Sequence, residues 1–179
     1  FEKSLSKDFG SLNIGIIKNI EKLGISEDVI NAYETSKTVL TGLGHKLIEV
    51  DFSELSSGIC SYYVIAPAEC SSNLSRFDGV KYGYRSENQK DIASLYMNTR
   101  SDGFGDEVKK RILIGTHVLS AGFYDAYYLQ AQKVRRMIKD KFEMFFKDVD
   151  LIFMPTTLDQ AFEKNRKSDD PNRMYKEDL

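Results

Sequence analysis

The chain has 179 residues, 41% hydrophobic and 29% charged, with a formal net charge of −2. This composition reads as a soluble globular protein rather than a disordered tail, and the near-neutral charge gives no global pull toward nucleic acid or an anionic membrane. The longest apolar runs, such as Leu151 to Pro155, are far too short to span a bilayer, and no signal peptide is expected from Phe1-Glu2-Lys3-Ser4.

Leu12 to Lys18 is short, β-branched and bounded by Gly10 and Asn19, which predicts a buried strand. Ser26 stands as an N-cap before the first-turn acids Glu27 and Asp28. Val29, Tyr33, Ser36, Val39 or Leu40, and Leu43 follow at helical spacing, and Gly44 supplies a left-handed stop. Lys46 to Asp51 is a second strand, so the order is β-α-β and the two strands should pair in parallel. Beyond it the chain turns mostly helical. Helices are predicted over Cys60 to Ser75, Asn88 to Arg100 and Asp106 to Ser120, the last two divided by a turn at Asp102-Gly103-Phe104-Gly105. The longest runs from Gly122 to Lys147, with Phe123, Tyr127, Val134, Ile138, Phe142 and Phe145 on its inner face. Leu151 to Met154 is a third strand ended by Pro155, and Glu163 to Asp178 is a polar, loop-like tail. The fold class is therefore α/β. No repeat or linker divides residues 1–179, which are treated as one unit.

The candidate chemistry is sparse. Cys60 and Cys70 show no metal-binding spacing and read as free, partly buried thiols of a reducing compartment; no metal site is expected. Ser71, Ser72 and Ser75 cluster like a nucleophile but have no neighbouring base and no nucleophile-elbow sequence, so turn and helix-end hydroxyls are the better reading. His45 and His117 fall in no motif. Lys133, Arg135, Arg136, Lys139 and Lys141 alternate with apolar positions and acids, the pattern of a solvated helix face rather than a phosphate-binding surface. Lys109-Lys110-Arg111 leads into Ile112-Leu113-Ile114, which puts a guanidinium at the edge of an apolar stripe where it could face a carboxylate. From the residues alone, the reading stops at an α/β domain able to bind a small polar ligand.

Four segments go further: Ala66 to Arg85, Gly103 to Ile138, Asp148 to Thr157 and Ser168 to Leu179. Together they resemble the A subunit of the tRNA-dependent amidotransferases, members of the amidase-signature enzymes. Ser72 to Arg85 (SNLSRFDGVKYGYR) and Phe104 to Thr116 (FGDEVKKRILIGT) carry the resemblance most specifically. It implies a mixed central sheet flanked by helices, of which this chain supplies the β-α-β unit and the helical region after it. It also implies a ligase subunit that hydrolyses glutamine and supplies ammonia for converting Glu-tRNA(Gln) to Gln-tRNA(Gln), or Asp-tRNA(Asn) to Asn-tRNA(Asn). By the same resemblance the Ser-Ser-Lys catalytic triad lies upstream of Phe1, so no catalytic residue is assigned here and the chain alone is expected to be inactive. Arg111 matches the arginine that grips the α-carboxylate of glutamine, Asp178 the aspartate that receives its α-ammonium, and Tyr62 a tyrosine lining the same pocket. ATP and Mg²⁺ are implied for the B subunit, with none for this chain; a small C subunit is the other partner, and no membrane is involved. The implied location is the cytoplasm of a bacterium, or the mitochondrion or plastid of a eukaryote. The sequence departs from the family pattern at Leu158-Asp159-Gln160, where prolines are usual, and at Glu163 to Lys167, where a glycine is missing. Two other readings are an amidase-signature hydrolase acting on another small amide, and a non-catalytic binding or scaffolding module.

Overall fold

The computed structural model describes residues 9–53, 57–161 and 164. In chain order the elements are β1 (Asn13–Ile17), a 3₁₀ turn (Ile20–Leu23), α1 (Glu27–Gly42), β2 (Lys46–Val50), α2 (Gly58–Leu74), α3 (Ile92–Gly103), α4 (Asp106–Val118), a π-helical turn (Tyr124–Tyr128), α5 (Leu129–Phe145) and β3 (Leu151–Phe153). They form two compact units, one of Phe1–Ile59 with Met137–Leu179, the other of Cys60–Arg136.

The first unit is built on a parallel sheet in the order β2-β1-β3. The predicted β-α-β pairing holds, with Ile14 beside Leu47 and Ile16 beside Glu49, and the third strand joins on the other side of β1, with Ile14 beside Leu151. β1 is buried along nearly its whole length, as a central parallel strand covered on both faces must be. Ile16, Ile17, Ile20 and Tyr33 form its core, with Leu47, Phe52 and Phe153 packed around them. The Phe52 ring also meets Phe142 and Phe145 at 5.6 and 5.1 Å. Gly44 takes the left-handed conformation (φ +89°) just beyond α1, where a side chain would be strained, and stops the helix as predicted.

Ser26 behaves differently from its predicted role. It occupies the N-cap position of α1, but its hydroxyl makes no capping bond and is buried without a hydrogen-bond partner. The helix start is held instead by the returning chain. Ser26 N–H donates to the Leu158 carbonyl at 2.8 Å, and the Gln160 side-chain amide donates to the Asp28 carboxylate. The segment from Leu158 to Gln160 is thus tied down by hydrogen bonds to α1. Glu163 and residues 165–167 lie outside the described residues.

The second unit is helical. α3 begins at Ile92 rather than Asn88, because Asp91 and Ser94 form a reciprocal capping box: Ser94 N–H donates to Asp91 Oδ1 at 2.7 Å, and Asp91 N–H to Ser94 Oγ at 2.9 Å. It also runs three residues past Arg100, whose guanidinium turns back to the carbonyls of Leu74 and Phe77 at 2.9 and 3.1 Å. The predicted long helix from Gly122 is not one α-helix. Its first turn is π-helical, with Leu129 N–H reaching five residues back to the Tyr124 carbonyl. The extra residue in that turn shifts the helical phase, so Phe123 and Tyr127 are 38% and 50% exposed instead of lying on an inner face. Val134, Ile138, Phe142 and Phe145 are half-buried as expected.

Candidate functional site

Of the three residues assigned to a ligand pocket, the structure brings Tyr62 and Arg111 together; Asp178 lies outside the described residues. Tyr62 sits near the start of α2 and Arg111 one turn into α4, both in the second unit. The helices meet through a point of very close approach. A Cβ added to Gly115 would stand 1.9 Å from the carbonyl oxygen of Pro67 and 2.7 Å from the Ser71 Cβ. No residue but glycine permits that contact. The hydroxyls of Ser71 and Thr116 close it on one side at 2.9 Å.

Gly115 lies four residues after Arg111, on the same face of α4. The contact that fixes Gly115 against α2 therefore also fixes the distance from Arg111 to Tyr62. The Tyr62 phenol beside the guanidinium is the main cause that holds the Arg111 pKa above its ordinary value; partial burial opposes it, and Glu107 adds to it. Glu107 Oε1 accepts from Arg111 Nε at 3.2 Å. The Arg111 side chain is 28% exposed, and the Tyr62 ring stacks edge-on against Tyr63 at 5.1 Å. The result is a permanently charged, half-buried planar donor with a phenol beside it. Such a group takes a carboxylate bidentately.

The remaining candidates fall to other roles. Ser71 bonds Thr116, and Ser75 Oγ donates to the Ser72 carbonyl at 2.6 Å. His45 Nδ1 accepts from Leu12 N–H at 3.2 Å, and His117 stacks on Phe123 at 4.2 Å. Cys60 and Cys70 are free thiols. Lys133, Arg135, Arg136 and Lys139 are exposed and Lys141 half-buried, with Lys139 paired to Glu143, which is the solvated face expected. Among the described residues no group of three or more His, Cys, Asp or Glu could hold a metal ion, and no helix is long and apolar enough to cross a membrane. A groove of about 320 Å³ in the first unit is lined by Tyr33, Ser36, Phe153 and Thr156 among others, and holds hydroxyls and apolar carbons but no group suited to charge recognition.

Two contributors escaped the sequence reading. Gly115 looks like an ordinary helical glycine, and its packing role has no local signal. Glu107 did have one: it precedes Arg111 by four residues, the spacing at which helical side chains meet.

Over its whole length the chain is 48% identical to the glutamyl-tRNA(Gln) amidotransferase A subunit of Hahella chejuensis and 49% identical to that of Nitrosomonas europaea, covering 37% of each. The crystal structure of the glutamyl-tRNA(Gln) amidotransferase A subunit of Thermotoga maritima is similar at a TM-score of 0.66 and 31% identity, over 98% of this chain and 33% of that one. The chain thus spans a little over a third of the length of the curated relatives it matches. The amidase family profile matches residues 1–179, and the chain belongs to the amidase family.

Proposed function

We propose that this chain is the substrate-binding portion of the glutaminase subunit of a tRNA-dependent amidotransferase. The observation that carries the reading is the Tyr62–Arg111 pair, a cation and a phenol brought near each other from two helices of an amidase-family chain. The similarity to A subunits of glutamyl-tRNA(Gln) amidotransferase supports it.

In this reading Arg111 binds the α-carboxylate of glutamine, Tyr62 borders the same pocket and orients the guanidinium, and Asp178 receives the α-ammonium. A zwitterion needs one cation and one anion at separate points, each acting by charge-assisted hydrogen bonds. The side-chain amide is then presented to the family's Ser-Ser-Lys triad, which this reading places outside residues 1–179. Serine attack expels ammonia and leaves a glutamyl ester, which water hydrolyses to glutamate. The ammonia passes to a partner B subunit that uses ATP and Mg²⁺ to activate the tRNA-linked carboxylate of Glu-tRNA(Gln), or of Asp-tRNA(Asn). A small C subunit completes the assembly. No step on this chain runs through ATP or Mg²⁺. The site of action is a bacterial cytoplasm, or a mitochondrion or plastid.

The test is glutamine hydrolysis by the full-length enzyme with its partner subunits. Arg111→Ala should raise the KM for glutamine about 10- to 100-fold, matching the roughly 1.5–3 kcal/mol of a hydrogen bond to a charged group. An unchanged KM overturns the assignment.

A further inference from the structure

The Arg111 guanidinium is restrained from two sides within the second unit. Tyr62 reaches it from α2, and Glu107, one turn earlier on α4, accepts from its Nε at 3.2 Å. The other Glu107 oxygen lies 3.8 Å from Lys110 Nζ in a solvent-exposed ion pair. The carboxylate therefore sits between two cations, with one oxygen toward each. The bond at Nε limits rotation of the guanidinium and does not use its two terminal nitrogens. Two coplanar N–H donors are what a bidentate carboxylate requires.

We infer that Glu107 is a positioning residue for carboxylate recognition, orienting Arg111 without touching the ligand. The inference rests on the proposed role of Arg111 in holding the α-carboxylate of glutamine. Two effects of Glu107 oppose each other. Its negative charge repels an incoming carboxylate, while its hydrogen bond removes rotational freedom that ligand binding must otherwise remove. The Glu107 side chain is 55% exposed, so solvent and salt weaken the repulsion. The hydrogen bond acts at contact distance and keeps its effect. Orientation wins, and loss of Glu107 weakens binding despite removing a like charge.

The experiment compares Glu107→Ala, Glu107→Gln and Arg111→Ala in the full-length enzyme with its partner subunits, measuring KM and kcat for glutamine hydrolysis. Glu107→Ala should raise KM about threefold to tenfold with kcat changed less than about twofold, the range set by ordering one long side chain. Glu107→Gln keeps an oxygen acceptor for Nε and drops the charge, so its KM should match or fall below that of the unaltered enzyme. In an Arg111→Ala background, Glu107→Ala should have no further effect, because its action runs through Arg111. If Arg111→Ala raises KM but Glu107→Ala leaves it unchanged or lowers it, the positioning role is overturned and the glutamine site stands. If Glu107→Gln raises KM as much as Glu107→Ala does, orientation by hydrogen bonding is likewise refuted. If Arg111→Ala itself leaves KM unchanged, both readings fall.

Discussion

Gly115→Ala tests the helix contact beneath the site. In an exposed helix this change would stabilise by about 1 kcal/mol, because alanine is the better helix former. Here the added methyl would stand 1.9 Å from the Pro67 carbonyl oxygen and 2.7 Å from the Ser71 Cβ. An ordinary carbon–carbon or carbon–oxygen contact needs about 3.5 Å, so α4 must move more than an ångström relative to α2. The first obstacle is backbone, which cannot turn aside as a flexible side chain can. Overpacking of this kind costs about 1–3 kcal/mol and sometimes more, which at the upper end exceeds the gain in propensity. The net expectation is a loss of up to roughly 2 kcal/mol in denaturant unfolding of the full-length enzyme. Under the proposed role of Arg111, the same displacement parts it from Tyr62 and should raise the KM for glutamine alongside the loss of stability. A variant as stable as the original, or more so, would show that the helices are not pressed together at Gly115.

Tyr33→Phe keeps the ring that stacks on Phe153 at 5.1 Å but leaves the Ile17 N–H and Phe153 carbonyl without their shared partner, for a loss of about 1–3 kcal/mol in equilibrium unfolding. Burial also pushes the Tyr33 pKa up. The folded value then exceeds the unfolded value of about 10, so this stability is complete below that pH and declines as pH rises through the folded pKa. An alkaline unfolding titration should show that decline, and the phenylalanine variant should lack it. The Asp91 carboxyl is held below its ordinary pKa, chiefly by the Ser94 backbone N–H. Its contribution is present above the unfolded pKa and lost as pH falls through the lower folded one, so Asp91→Asn, which keeps a capping oxygen, should flatten the acid limb of the stability profile.

The first unit was legible because its signals are local. The β-branched run from Ile14 to Ile17, the acids after Ser26 and the glycine at position 44 each announce an element within a few residues. The capping hydroxyl failed as a signal because the chain beyond Phe153 returns to Ser26, a contact that spacing cannot reveal. The π turn at Tyr124 to Tyr128 was hidden for a similar reason: aromatic side chains at helical spacing look alike whether a turn holds one extra residue or none. For the site, the residues supplied a guanidinium at the edge of an apolar stripe, and only the family resemblance paired Arg111 with Tyr62. The physical link between them is Gly115 against Pro67, an interhelical contact between residues 48 apart in number that leaves no periodic trace.

The Tyr33 hydroxyl has a kinetic consequence. It joins an amide 16 residues away to a carbonyl 120 residues away. The near bond can form as soon as α1 docks on β1, whereas the far one closes a long loop and must await β3. The Ile17 amide, though in register with Val50 in the sheet, gives its proton to a helix side chain. Its hydrogen exchange therefore reports the undocking of α1 rather than the parting of strands, and one amide becomes a clock for when helix and sheet separate.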